Sequence, residues 1–69
     1  MPGTYKVIRL IGTSSEGFSE AAESAVKEAA KTLKGLAWLE VKETRANIKD
    51  GKIAEYQAVV DVGFKIIRE

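Results

Sequence analysis

Between Tyr5 and Ile11 the apolar residues fall on both parities, Val7 and Ile11 on one and Ile8 and Leu10 on the other, with Lys6 and Arg9 between them. A short run of this kind reads as a strand, and apolar side chains on both faces predict burial on both. The cluster Gly12-Thr13-Ser14-Ser15-Glu16-Gly17 predicts a turn. From Phe18 the period changes. Phe18, Ala21, Ala22, Ala25, Val26, Ala29, Ala30 and Leu33 follow the three-and-four spacing of one helical stripe. Glu20 and Glu23 lie near the positive end of that helix, and Lys27, Lys31 and Lys34 lie toward its negative end. Gly35 is placed to stop it. A stripe made mostly of alanine predicts a helix that approaches its sheet closely.

Leu36 to Ile48 and Lys52 to Ile67 read as two strands around Asp50-Gly51. That dipeptide favours a two-residue hairpin, because both central residues of a type I′ turn need positive φ. Lys49 then faces Lys52, and counting back along the hairpin sets Trp38 opposite Gly63. The helix-facing set is Leu39 and Val41 with Tyr56, Ala58, Val60, Val62 and Phe64. The opposite face carries Trp38, Glu40, Lys42 and Thr44 with Glu55, Gln57, Val59, Asp61 and Gly63. Glu43 and Arg45 fall on the helix-facing parity, near the hairpin end. The expected fold class is α+β with order β-α-β-β. It is a three-stranded, largely antiparallel sheet with one helix packed on one face, forming a single domain over residues 1–69.

Sixty-nine residues bury only a modest core, and chains of this size depend on disulfides, a metal or oligomerisation. Cysteine and histidine are both absent, which excludes a disulfide framework and Cys/His metal sites. Oligomerisation remains as the stabiliser. The same absences remove the usual general base and the readiest nucleophile, so enzymatic activity is disfavoured. Eleven basic and ten acidic residues are interspersed and make no basic patch for nucleic acid. No apolar leader or membrane-spanning run is present, and a cytoplasmic location is expected.

The second sheet face holds the sole tryptophan, and no further element is left in the sequence to cover it. Trp38 therefore either packs across a subunit interface or serves as a stacking platform for a flat ligand, with Gly63 leaving space above the indole. Gln57, on the same face, offers one donor group and one acceptor group. Arg45 is a candidate anion ligand or a salt-bridged surface residue. Glu40 and Asp61 oppose each other; such a pair either serves a carboxylate-dependent enzyme or meets a cation or a basic residue from another subunit. Tyr5 and Tyr56 are expected at the core edge. Gly12-Thr13-Ser14 is expected to be a tight connection without the glycine spacing of a phosphate loop.

Tyr5-Lys6, Gly12-Thr13-Ser14, Lys31-Thr32-Leu33, Trp38, Glu40-Val41, Glu55-Tyr56-Gln57 and Val62-Gly63-Phe64 occur in an order and spacing that resemble the dodecin family over nearly the whole chain. The resemblance implies a hollow homo-dodecamer that binds flavins in pairs at two-fold axes and stores or sequesters them without turnover. Trp38 corresponds to the stacking tryptophan and Gln57 to the glutamine that hydrogen-bonds the ring. Arg45 stands where bacterial-type members carry arginine, which implies FMN ahead of riboflavin. Some members also bind coenzyme A. No nucleic-acid or membrane partner is implied. A structural or interaction module with Trp38 as interface core is the alternative.

Overall fold

The computed structural model describes residues 3–66. Strand β1 (Tyr5–Ser14) leads into helix α1 (Phe18–Ala30), followed by β2 (Leu36–Lys49) and β3 (Lys52–Lys65). All pairings are antiparallel, and β3 lies in the middle of the sheet, in the order β1-β3-β2. The β-α-β-β order and the single helix agree with the sequence reading. The expected strand residue at position 67 lies outside the described residues.

The hairpin turn forms as its dipeptide requires, with Asp50 at φ 54° and Gly51 at φ 74°. Lys49 pairs with Lys52 and Trp38 pairs with Gly63, as the sequence predicts. Between these two points the register differs. Ala54 is bulged out of β3 and Lys42 out of β2, so every pair from Asn47–Glu55 to Glu43–Val59 is displaced by one residue. Because side chains alternate along a strand, the displacement turns over the faces of β2 in that stretch. Thr44 moves to the helix side, opposite Ala58, while Glu43 and Arg45 move to the opposite face with Val59 and Gln57. The second bulge cancels the first, which is why the register at Trp38 is unchanged.

Most of the predicted core forms, but Val41, which the sequence places on the helix face, is 48% exposed, and Leu36 joins the core without having been predicted there. Ala21 and Ala25 pack on Ala58, Val60 and Val62, with Ile8, Leu10, Ala22, Leu36 and Leu39 around them. Close approach depends on Gly12. It lies in β1, opposite Ala58, where the sequence predicts a turn. A Cβ there would collide with the Ala21 carbonyl oxygen and come within 2.9 Å of the Ala25 amide nitrogen. The helix therefore rests on bare backbone, and β1 runs three residues past its expected end beneath it. At its own end α1 stops at Ala30, earlier than the periodicity predicts. Thr32 N–H donates to the Ala29 carbonyl at 3.2 Å, a tightened last turn, before Gly35 reverses the chain at φ 75°.

Element lengths leave much of the sheet uncovered. A 13-residue helix spans about 20 Å, whereas the 14-residue hairpin strands run roughly 46 Å. The chain measures 53 × 20 × 13 Å with a radius of gyration of 14.2 Å; a compact domain of this length has about 11 Å. Its accessible surface is 5285 Å², against about 4,200 Å² for a compact monomer of this size. On the face away from the helix, Tyr5, Val7, Ile11 and Trp38 are exposed, and at the hairpin tip Ile48 and Ile53 are 75% and 54% exposed. Within one chain β1 is thus buried on its helix side alone, short of the two-sided burial that its sequence predicts.

Candidate functional site

The uncovered face is built by alternate residues of three strands. Trp38 reaches it from the start of β2. Its partner Gly63, in the central strand, has no side chain, so the indole lies across β3 with its ring over the glycine. A Cβ at Gly63 would be 2.7 Å from the indole Nε1 and would collide with Cε2 and Cζ2. The space above Gly63 is therefore filled by the indole itself, not left open above it. Crossing β3 brings Trp38 to Tyr5 on the far strand, with ring centroids 5.0 Å apart and planes tilted by 43°. One face of the indole rests on backbone, Tyr5 lies tilted beside it, and 45% of the residue remains exposed. This is a supported aromatic surface open to a flat partner.

Midway along the same face, charges are paired within the chain. Arg9 donates to Asp61 through Nε at 2.7 Å and through Nη2 at 3.2 Å, a bidentate contact between β1 and β3. That hydrogen bond, together with each partner's charge acting on the other, holds the Asp61 carboxyl below its ordinary value and Arg9 above its own. Glu40, opposite Asp61, has Lys42 Nζ 3.7 Å from its carboxylate. The opposed acids thus meet basic residues of their own chain, where the sequence offered a second subunit or a carboxylate-based cleft.

Toward the hairpin the displaced register brings together Arg45 and Gln57. Arg45 Nε donates to Gln57 Oε1 at 2.8 Å, and Gln57 Nε2 donates to Glu55 Oε1 at 3.0 Å. Glu43 Oε1 lies 3.7 Å from Arg45 Nη1. Trp38 is not part of this cluster. Gln57 lies six residues from Gly63 on β3, and that interval contains no bulge in β3. The separation is about 20 Å at the usual strand rise. One planar ring cannot span it, so a single ring touching both residues takes them from different chains.

A family model described as Dodecin matches residues 4–67. The chain belongs to the dodecin family. A dodecin from Thermus thermophilus is 46% identical over 66 residues, 96% of each chain. The dodecin of Streptomyces davaonensis superposes with a TM-score of 0.95 at 38% identity, covering 99% of this chain and 100% of that one. A calcium dodecin from Mycobacterium tuberculosis, whose structure carries a calcium-binding site, gives 0.83 at 29% identity over 96% and 94% of the two chains. Among the described residues of this chain, no three or more Asp or Glu side chains are placed to hold a metal ion.

Three contacts of the face escaped the sequence reading. Tyr5 beside Trp38 and Arg9 on Asp61 depend on the β1–β3 register, which no turn dipeptide fixes. Glu55 was on the predicted face and in a run that carries the family resemblance, but its bond to Gln57 was not read from the sequence.

Proposed function

We propose that this chain stores or sequesters flavin, FMN ahead of riboflavin, in a hollow shell of twelve copies, without turnover. The isoalloxazine ring stacks on Trp38 of one subunit. Gln57 of another subunit hydrogen-bonds the ring edge. The Arg45 guanidinium, still exposed beyond its bond to Gln57, serves the phosphate. The observation that carries this reading is the indole seated on Gly63 with its other face open. An aromatic residue meant only to fill an interface does not need a glycine cut beneath it to lie flat. Membership of the dodecin family supports the ligand class, and the excess accessible surface supports assembly.

The test is titration of FMN and riboflavin into the purified assembly, followed by flavin emission. Emission falls on binding, because an indole in contact with an excited flavin donates an electron to it. Trp38→Ala weakens binding about 5- to 150-fold, the range for losing one stacked aromatic contact, with the native mass unchanged. Arg45→Ala narrows the gap between FMN and riboflavin. A Trp38→Ala shell that binds and quenches like the parent refutes the assignment.

A further inference from the structure

Gln57 is held at both ends. Its Oε1 accepts from Arg45 Nε, and its Nε2 donates to Glu55 Oε1. Arg45 stands opposite Gln57 on β2, and Glu55 is two residues away on β3, on the same face. A side-chain amide is nearly symmetric in shape, so turning it over costs little sterically while exchanging its donor for its acceptor. Here the neighbours forbid the exchange. A guanidinium has no acceptor and an ionised carboxylate has no donor. The reversed amide would set N–H against N–H and oxygen against oxygen. Both contacts involve a charged partner, the stronger class of hydrogen bond. One lone pair on Oε1 and one N–H on Nε2 are left for a ligand, in a fixed order along the strand.

We propose that Arg45 and Glu55 are positioning residues that lock the Gln57 amide in one orientation, so that the site selects a planar ligand by the order of donor and acceptor on its edge. The complement is a ring N–H facing Oε1 beside a ring carbonyl facing Nε2, as on one half of a cyclic imide whose ring the stack holds in place. The inference rests on the reading of Gln57 as the residue that meets the ring edge. It gives Arg45 a second task, independent of any phosphate. It also explains why a half-buried amide is bracketed by two opposite charges, where either charge alone would satisfy only one end.

Riboflavin and 3-methylriboflavin separate this effect from others, since neither carries a phosphate and they differ only at the ring N–H. The parent shell binds riboflavin about tenfold or more tightly over the methylated ligand, because the methyl group leaves Oε1 unpaired. Exchanging the charges in Arg45→Glu/Glu55→Arg keeps the net charge and reverses the amide. With the ring held in place by the stack, the preference then falls to about one, since the ring N–H now faces an N–H. A merely structural disturbance weakens both ligands alike and leaves their ratio alone. Arg45→Glu/Glu55→Lys repeats the reversal with a shorter side chain, and native mass verifies assembly.

Gln57→Ala is the control for the underlying reading. If it keeps the parent's preference, Gln57 does not meet the ring edge and that reading fails. If Gln57→Ala loses the preference while an assembled charge-reversed shell keeps it, the positioning role fails alone. Should neither reversed pair assemble, the two charges serve the shell and not the ligand, which also overturns the proposal.

Discussion

Replacing Gly63 by alanine is the sharpest perturbation of the platform, because it adds one methyl group beneath the indole and alters nothing else. The added Cβ would lie 2.7 Å from the indole Nε1 and closer still to two ring carbons. Ordinary contacts between such atoms are 3.5–4.0 Å, so the ring must rise by about 1 Å or more. The strand cannot yield instead: Gly63 is buried in the central strand, paired with Val7 on one side and Trp38 on the other. The indole can yield, since its far face is open. Overpacking costs about 1–3 kcal/mol in a closed core, and a ring free to lift falls at the low end. Stacking geometry suffers more. Losing a contact worth about 1–3 kcal/mol weakens flavin binding about 5- to 150-fold. Quenching titrations with FMN, run beside thermal unfolding and native mass, separate the two effects. A Gly63→Ala shell with the parent's affinity and quenching would refute the claim that the glycine seats the platform.

Gly12→Ala should act on stability in place of binding. The methyl group meets the Ala21 carbonyl and Ala25 backbone, neither of which can move without lifting the helix. A loss of about 3 kcal/mol is expected in denaturant unfolding at fixed protomer concentration, the upper end for overpacking. Ile48→Thr with Ile53→Thr keeps β-branched residues at the hairpin tip but removes its apolar surface. Each isoleucine gives about 1.5–3 kcal/mol on full burial, so native mass should shift toward smaller species while each chain keeps its fold. Asp61 sets an acid limit. Its folded-state carboxyl is held below the ordinary 3.8 by Arg9, so its contribution is fully present above that value and is lost as pH falls through the lowered one. Asp61→Asn should therefore flatten the fall in melting temperature below about pH 4, and an unchanged fall would place the acid sensitivity elsewhere.

Legibility of the fold followed the strength of local signals. The alanine stripe located α1 and the core, and Asp50-Gly51 set the hairpin so firmly that the Trp38–Gly63 pair follows from counting alone. Two compensating bulges defeated the same counting between Asn47 and Glu43, since a bulge leaves no distinct trace in a run such as Lys42-Glu43-Thr44. That local failure put Arg45 on the wrong face and hid its bond to Gln57. Gly12 read as a turn residue because glycine beside Thr-Ser is a turn signal, whereas its role is to admit the helix. Trp38 and Gln57 were legible as candidates through their shared face and family resemblance. The contacts that Tyr5, Arg9 and Glu55 make there were not, because each depends on a partner distant in sequence or on a bulge-shifted neighbour.

One flavin is expected to draw Trp38 and Gln57 from different subunits. Shells co-assembled from Trp38→Ala and Gln57→Ala chains test it directly, with co-assembly verified by native mass. Neither mutant shell alone contains an intact site, but mixing restores both residues to some interfaces where the two kinds of chain meet. Mixed shells are expected to recover part of the parent's FMN binding and quenching, rising with the fraction of mixed interfaces. Mixed shells that bind no better than the two mutants apart would contradict it.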